Sequence, residues 1–199
     1  MIRKSNLSVF AIVIVLFTGY QGDRPSPALM LVEQAGTIVA DSHELLKDAN
    51  VSALRANAPI MLSSLGQVQL SMTIKQVENI LGKPAQKKNS EHGETWRYDR
   101  SHGKTLYVIF NQEGHVTHVS TDSSEFKVPN SLGVGSPQQD FESLYGARAL
   151  RKSDPLKMNC RLIKYPLSQL ALIVDDSNDF VVGIMVFYLQ DNQQTGHSE

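Results

Sequence analysis

Cys160 is the only cysteine in this chain of 199 residues, so no intramolecular disulfide braces it. A lone cysteine in an exported chain is more often a small buried hydrophobe than a nucleophile. An excess of charge is missing too: 19 basic residues stand against 20 acidic ones, a formal net charge of −1. That balance argues against nucleic acid, which needs a concentrated basic face. Lys87-Lys88 is only a short basic pair beside a loop. G-x-S-x-G, H-E-x-x-H, a phosphate-binding glycine loop and C-x-x-C are all absent. His115 and His118, three apart, fall on opposite faces of a strand and make a poor metal pair. Asp175, Asp176 and Asp179 fail the spacing of a calcium loop and suit a hairpin turn. No catalytic residue, metal or cofactor is therefore assigned. One reading from the enzyme class stays open, a metal-dependent enzyme using His92 and His102, turn residues that could meet across the strand at Trp96.

A long apolar run is also lacking. Leu7 to Tyr20 is almost wholly apolar and follows Met1-Ile-Arg-Lys, but it falls short of the roughly 20 residues a membrane span needs. Its form is that of a secretory signal, so residues 1–22 read as a signal peptide or an N-terminal anchor. Tyr20 stands where the acylated cysteine of a lipoprotein box would be. The expectation is an exported protein, periplasmic or extracellular. It would touch a membrane only through residues 7–20, if these are retained.

What is present is a capped helix that occurs twice. In Ser71 to Gly82, Thr73 suits the N-cap and Gln76 completes a capping box. Val77, Ile80 and Leu81 share a face, Gly82 closes the helix, and Pro84 prevents its continuation. In Gly135 to Gly146, Ser136 reads as the cap, Pro137 as the first helical residue and Gln139 as the box partner. Phe141, Leu144 and Tyr145 form the apolar face there. Phe141 lies 64 positions after Val77, and Gly146 lies 64 after Gly82. The same slide brings Arg97 onto Arg161, Trp96 onto Cys160, Leu106 onto Leu170 and Ile109 onto Ile173, as a structural repeat would.

In chain order, residues 23–65 read as a helical linker segment, one helix broken near Gly36 or two short ones. Residues 66–129 form a first unit and 130–190 a second, with a polar tail at 191–199. Each unit holds a helix, a polar loop (Lys83 to Thr95 in the first) and three strands, which are Trp96–Asp99, Thr105–Phe110 and Val116–Ser120 in the first. The fold class is α+β. Trp96, Tyr98, Leu106, Val108 and Phe110 share one parity and should face the helices. The other parity carries Arg97, Tyr107 and Ile109, then Arg161, Ile163 and Ile173. That is too apolar for a solvated sheet face, so either residues 28–65 cover it or another protein docks on it.

Met72-Thr-Ile-Lys-Gln-Val77, Ile80-Leu-Gly-Lys-Pro84, Trp96-Arg-Tyr98, Leu106 to Phe110 and Gly114-His-Val116 together resemble the SmpA/OmlA (BamE-like) family of bacterial envelope proteins. The tandem arrangement is similar to that of β-lactamase-inhibitor-protein (BLIP)-like proteins. Ser71 stands where the family usually has glycine. The resemblance implies two helix-plus-antiparallel-sheet units whose sheets join into one curved surface. It also implies a non-catalytic role: binding another protein in the envelope, or, alternatively, inhibiting a secreted hydrolase such as a β-lactamase.

Overall fold

The computed structural model describes residues 26–48, 61–91, 93–146, 152–156 and 159–189. Helix α1 spans Pro27–Asp48 without a break at Gly36, correcting the expected interruption. Ser26 starts it: its hydroxyl accepts from the Leu29 amide at 3.2 Å, and Pro27 takes the first position, where no amide hydrogen is needed. Ala28, Leu31, Ala35, Ile38 and Ser42 follow at alternating spacings of three and four and are all buried. Ser42 is tolerated in this stripe because its hydroxyl donates to the Ile38 carbonyl at 2.7 Å.

Strands β1 (Ser64–Leu65) and β2 (Val68–Gln69) form a short hairpin across the expected boundary between linker and first unit. Helix α2 (Ile74–Leu81) has the capping box read from sequence, with Thr73 and Gln76 exchanging bonds, and stops at Gly82 with φ +76°. Next come β3 (Gln86–Ser90), β4 (Gly93–Asp99), β5 (Thr105–Phe110) and β6 (Val116–Thr121). The stretch expected as a polar loop is thus mostly the β3–β4 hairpin. Helix α3 (Gln138–Tyr145) begins one residue later than expected and has no side-chain cap. Ser136 instead accepts from the Gly133 amide. Strands β7 (Lys152–Leu156), β8 (Cys160–Tyr165), β9 (Leu170–Asp175) and β10 (Val181–Phe187) complete the described chain.

The protein is α+β, and β3 to β10 form one open antiparallel sheet in the order β3-β4-β5-β6-β10-β9-β8-β7. Before α2, the Ser71 amide donates to Val116 and the Val116 amide to Met72. Before α3, the Gly135 amide donates to Val181 and the Val181 amide to Ser136. Ser71 (φ +67°) and Gly135 (φ +89°) hold matching left-handed positions, which glycine adopts without penalty and serine does not.

The main core lies between this sheet and helices α2 and α3. Trp96, Tyr98, Leu106, Val108 and Phe110 all belong to it, as their parity required. Trp96 meets Phe110 edge-on at 4.9 Å between ring centres. Each such large side chain contributes about 1.5–3 kcal/mol by burial.

The 64-residue slide fails in β8. Tyr98 pairs with Leu106 eight positions on, whereas Tyr165 pairs with Leu170 only five positions on. The second hairpin is three residues shorter, and an odd shift turns every β8 side chain to the other face. Ile163, not Cys160, therefore stands where Trp96 does, and Lys164, not Arg161, stands where Arg97 does.

Part of the opposite sheet face is covered by α1. Met30, Leu31, Ala35 and Ile38 pack on Leu162, Ala171, Ile173, Met185 and Phe187. Gly183 permits the approach, since a Cβ there would lie 2.9 Å from the Pro27 Cβ and 3.4 Å from its carbonyl carbon. Gly183→Ala should therefore destabilise the chain by about 1–3 kcal/mol in urea titrations. Hydrogen exchange should rise first in α1.

Candidate functional site

Strand pairing lines up one residue from each strand across the α1 face: Gln86, Arg97, Tyr107, Ser120, Met185, Ala171, Lys164 and Lys152. This row is the candidate site, with α1 lying across its middle, over β5, β6, β10, β9 and β8. Of the residues expected to form a binding face, Arg97, Tyr107, Ile109 and Ile173 are on this side. Tyr107 is buried beneath Ala28 and Leu29, Ile173 is buried in the α1 cluster, and Ile109 is half-buried at its margin. Burial pushes the Tyr107 phenol up to about 12.

Arg161 and Ile163 do not belong there. Ile163 is fully buried in the main core under α2 and α3. Arg161 leaves that same face and clamps the start of α3, bonding Gln138, Asp176 at 2.6 Å and Asp179. The guanidinium thus sits among the aspartates considered as calcium ligands. Asp175 instead holds its own turn through the Ser177 amide at 2.8 Å, as a hairpin turn should. Arg97 lies toward the β3 end of the row, with its side chain 17% exposed. It meets Asp99 at 2.8 Å and Gln86 at 3.3 Å, while its buried Nε has no partner among the described residues.

Two polar clasps fix α1 along the row. At its start, the Ser26 and Thr105 hydroxyls lie 3.3 Å apart and the Ser120 hydroxyl donates to the Ala28 carbonyl at 3.0 Å. Beneath them the buried Asp122 carboxylate accepts from the Thr105 amide at 2.7 Å and from its hydroxyl. Burial still pushes the Asp122 carboxyl up despite these bonds. Toward the other end, Lys164 is 1% exposed and meets Asp41 at 2.6 Å. None of these groups was singled out by periodicity. The available signal was Lys164 itself, a single charge inside Leu162-Ile-Lys-Tyr165.

His118 lies on the same face, paired with Ile109 and Phe187 in the sheet and stacked on the Phe187 ring. The Thr117 hydroxyl donates to the Ile109 carbonyl, so it accepts from His118 Nδ1 at 2.9 Å. His118 therefore carries its proton on Nδ1, and its buried Nε2 has no partner among the described residues. Burial lowers this imidazole to about 4. His115 is instead exposed beside Glu113. His102 is exposed in its turn and His92 lies outside the described residues, so the expected His92–His102 approach is not described. Among the described residues no cluster of three or more potential metal ligands occurs, and no helix is long and apolar enough to cross a membrane. A shallow hollow of 220 Å³ lies off the row between Ser71, Asn111, His115, Thr117 and Tyr188.

No protein-family model and no curated protein matches the chain. Several solved structures share part of its shape. An extracellular protein containing an SCP domain from Bacillus anthracis is 16% identical with a TM-score of 0.46, over 59% of this chain and 43% of its own. A cysteine-rich secretory protein from Staphylococcus aureus is 10% identical with a TM-score of 0.48, over 65% of this chain and 48% of its own. The uncharacterized protein yfeY from Escherichia coli is 14% identical with a TM-score of 0.44, over 65% of this chain and 99% of its own. The chain spans less than half the length of the first two. Likenesses this shallow carry no argument about activity or partner.

Two outcomes follow from the clasps and the buried imidazole. Asp41→Ala removes the 2.6 Å ion pair from an ammonium that is 1% exposed and should cost about 3 kcal/mol in chemical denaturation. His118 binds its proton more readily when unfolded than when folded. Its contribution to stability is therefore complete above about 6.5 and is lost as pH falls toward about 4. Thermal melts of His118→Phe should accordingly show a smaller drop over that interval than the unaltered chain.

Proposed function

We propose that the protein is an exported, non-catalytic binding protein of the bacterial envelope, built from two tandem BamE-like/BLIP-like units, that engages another protein through the α1 side of its sheet. Support for the tandem reading is the recurrence of a helix followed by four strands. The paired amides that stitch each helix to its unit's last strand, at Ser71 with Val116 and at Gly135 with Val181, add to it. The observation that carries the binding reading is the row itself. It spans all eight strands, α1 lies over only part of it, and beyond α1 the half-buried Arg97, its side chain 17% exposed, stands near the half-buried Ile109. Arginine over apolar surface is a composition typical of protein interfaces. Export is read from the basic residues and apolar run at positions 1–20.

Affinity capture from envelope extract tests this. Arg97→Glu and Ile109→Asp should each reduce recovery of the captured protein at least tenfold without altering the circular dichroism. Undiminished capture by both variants removes this face from the reading.

A further inference from the structure

We propose that Met61 is a reversible oxidation site. Its sulfoxide oxygen takes over the hydrogen bond that the Gln169 amide now gives to the sulfur, and so tightens the hold of the chain entering β1 on the turn between β8 and β9. The inference goes beyond the binding face and does not depend on it.

The six methionines are not equivalent. Met185 is fully buried and Met30 nearly so, both in the cluster under α1. Met72 is half-buried against the main core. Met1 and Met158 lie outside the described residues. Met61 is 61% exposed, so a water-borne oxidant reaches its sulfur.

What sets Met61 apart is its partner. The Gln169 side-chain amide donates to the Met61 sulfur at 3.1 Å. Gln169 is only 7% exposed, and that sulfur is the acceptor its nitrogen has among the described residues. A thioether accepts weakly, which leaves a buried amide poorly satisfied. Gln169 is also fixed in place. Its φ of +55° is a left-handed value that a residue with a side chain seldom takes. Its own amide donates to the Pro166 carbonyl and its carbonyl accepts from Phe187, both at 3.0 Å. Beside this contact the Leu62 amide donates to the Ser168 carbonyl at 3.0 Å. The two bonds together tie the residues entering β1 to the β8–β9 turn.

The oxidant is a peroxide. A sulfur lone pair attacks one oxygen of hydrogen peroxide, the O–O bond breaks, and the other oxygen leaves as water with both protons. Sulfur gives up two electrons in forming the S–O bond, and the peroxide gains them. The Gln169 amide engages one lone pair of the sulfur and leaves the other for this attack. The product is polar, and its oxygen accepts a hydrogen bond more strongly than the sulfur did. Inside a core such a change disrupts packing. Met61 lies mostly in water, so the gain at Gln169 is not offset in that way. A dithiol-dependent sulfoxide reductase reverses the step: its thiols give two electrons and become a disulfide while the oxygen leaves as water.

The test treats the folded chain with dilute hydrogen peroxide and follows oxygen uptake at each methionine by peptide mass spectrometry. Met61 should oxidise at least tenfold faster than Met30 and Met185. Hydrogen exchange at the Leu62 amide should then slow at least threefold relative to the untreated chain. Met61→Gln puts a carbonyl oxygen at similar reach and should reproduce that slowing without peroxide. Gln169→Asn tolerates the left-handed backbone but is too short to reach residue 61, and it should abolish the response to peroxide. Met61→Leu should abolish it too. The proposal is overturned if Met61 oxidises no faster than the core methionines, or if oxidation leaves exchange at Leu62 unchanged or speeds it. Survival of the response in Gln169→Asn or Met61→Leu overturns it equally. Should Gln169→Asn fail to fold, Met61→Gln decides, and exchange at Leu62 no slower than in the untreated chain rejects the role given to the oxygen.

Discussion

The pairing of β6 with β10 is the constraint on which the architecture depends. Ile184 to Phe187 lie antiparallel to Thr121 to His118, so two four-stranded pieces become one sheet. Without that ladder each piece would present an open edge in the middle of the molecule, the usual site of unwanted pairing. With it, only β3 and β7 remain as edges, and β3 carries Lys87 and Lys88. A sheet this wide has two faces to bury. Helices α2 and α3 cover one, and the other is left for whatever the chain supplies, which is α1.

Much of this was legible where local chemistry decides. The Thr73 capping box, the glycine stops and the β5 span depend on neighbours in sequence, and they form where that chemistry puts them. The parity of Trp96, Tyr98 and Leu106 was legible because alternation survives any tertiary arrangement that keeps the strand. What failed depends on distant partners. Gln86-Lys-Lys-Asn-Ser90 has no apolar pattern, and it becomes a strand because β4 offers a bonding edge. Three fewer residues in one hairpin reversed the faces of Arg161 and Ile163. An ungapped comparison cannot register so small a deletion, although its effect on a strand is total.

The candidate face was half legible for the same reason. Its apolar character could be read from Tyr107, Ile109 and Ile173, and so could the need for a cover. Which residues provide that cover depends on α1 meeting strands far along the chain, as in the contact of Lys164 with Asp41 at a separation of 123. No periodicity encodes such a meeting. The polar groups that fix it, Ser26, Ser120 and Asp122, look in sequence like ordinary surface residues.

Those polar groups do more for position than for stability. Burying Lys164 against Asp41 gains little over a well-packed apolar pair, because both ions lose their water. An apolar stripe on a smooth sheet would let a helix slide by a turn, about 5.4 Å, with modest loss of contact. A charge pair at one end and hydroxyl bonds at the other oppose that slide, since a shifted register breaks the contact of Lys164 with Asp41 and those of Ser26 with Thr105 and of Ser120 with the Ala28 carbonyl. The register of α1 on the sheet is therefore fixed in a way that an apolar stripe alone would not fix it.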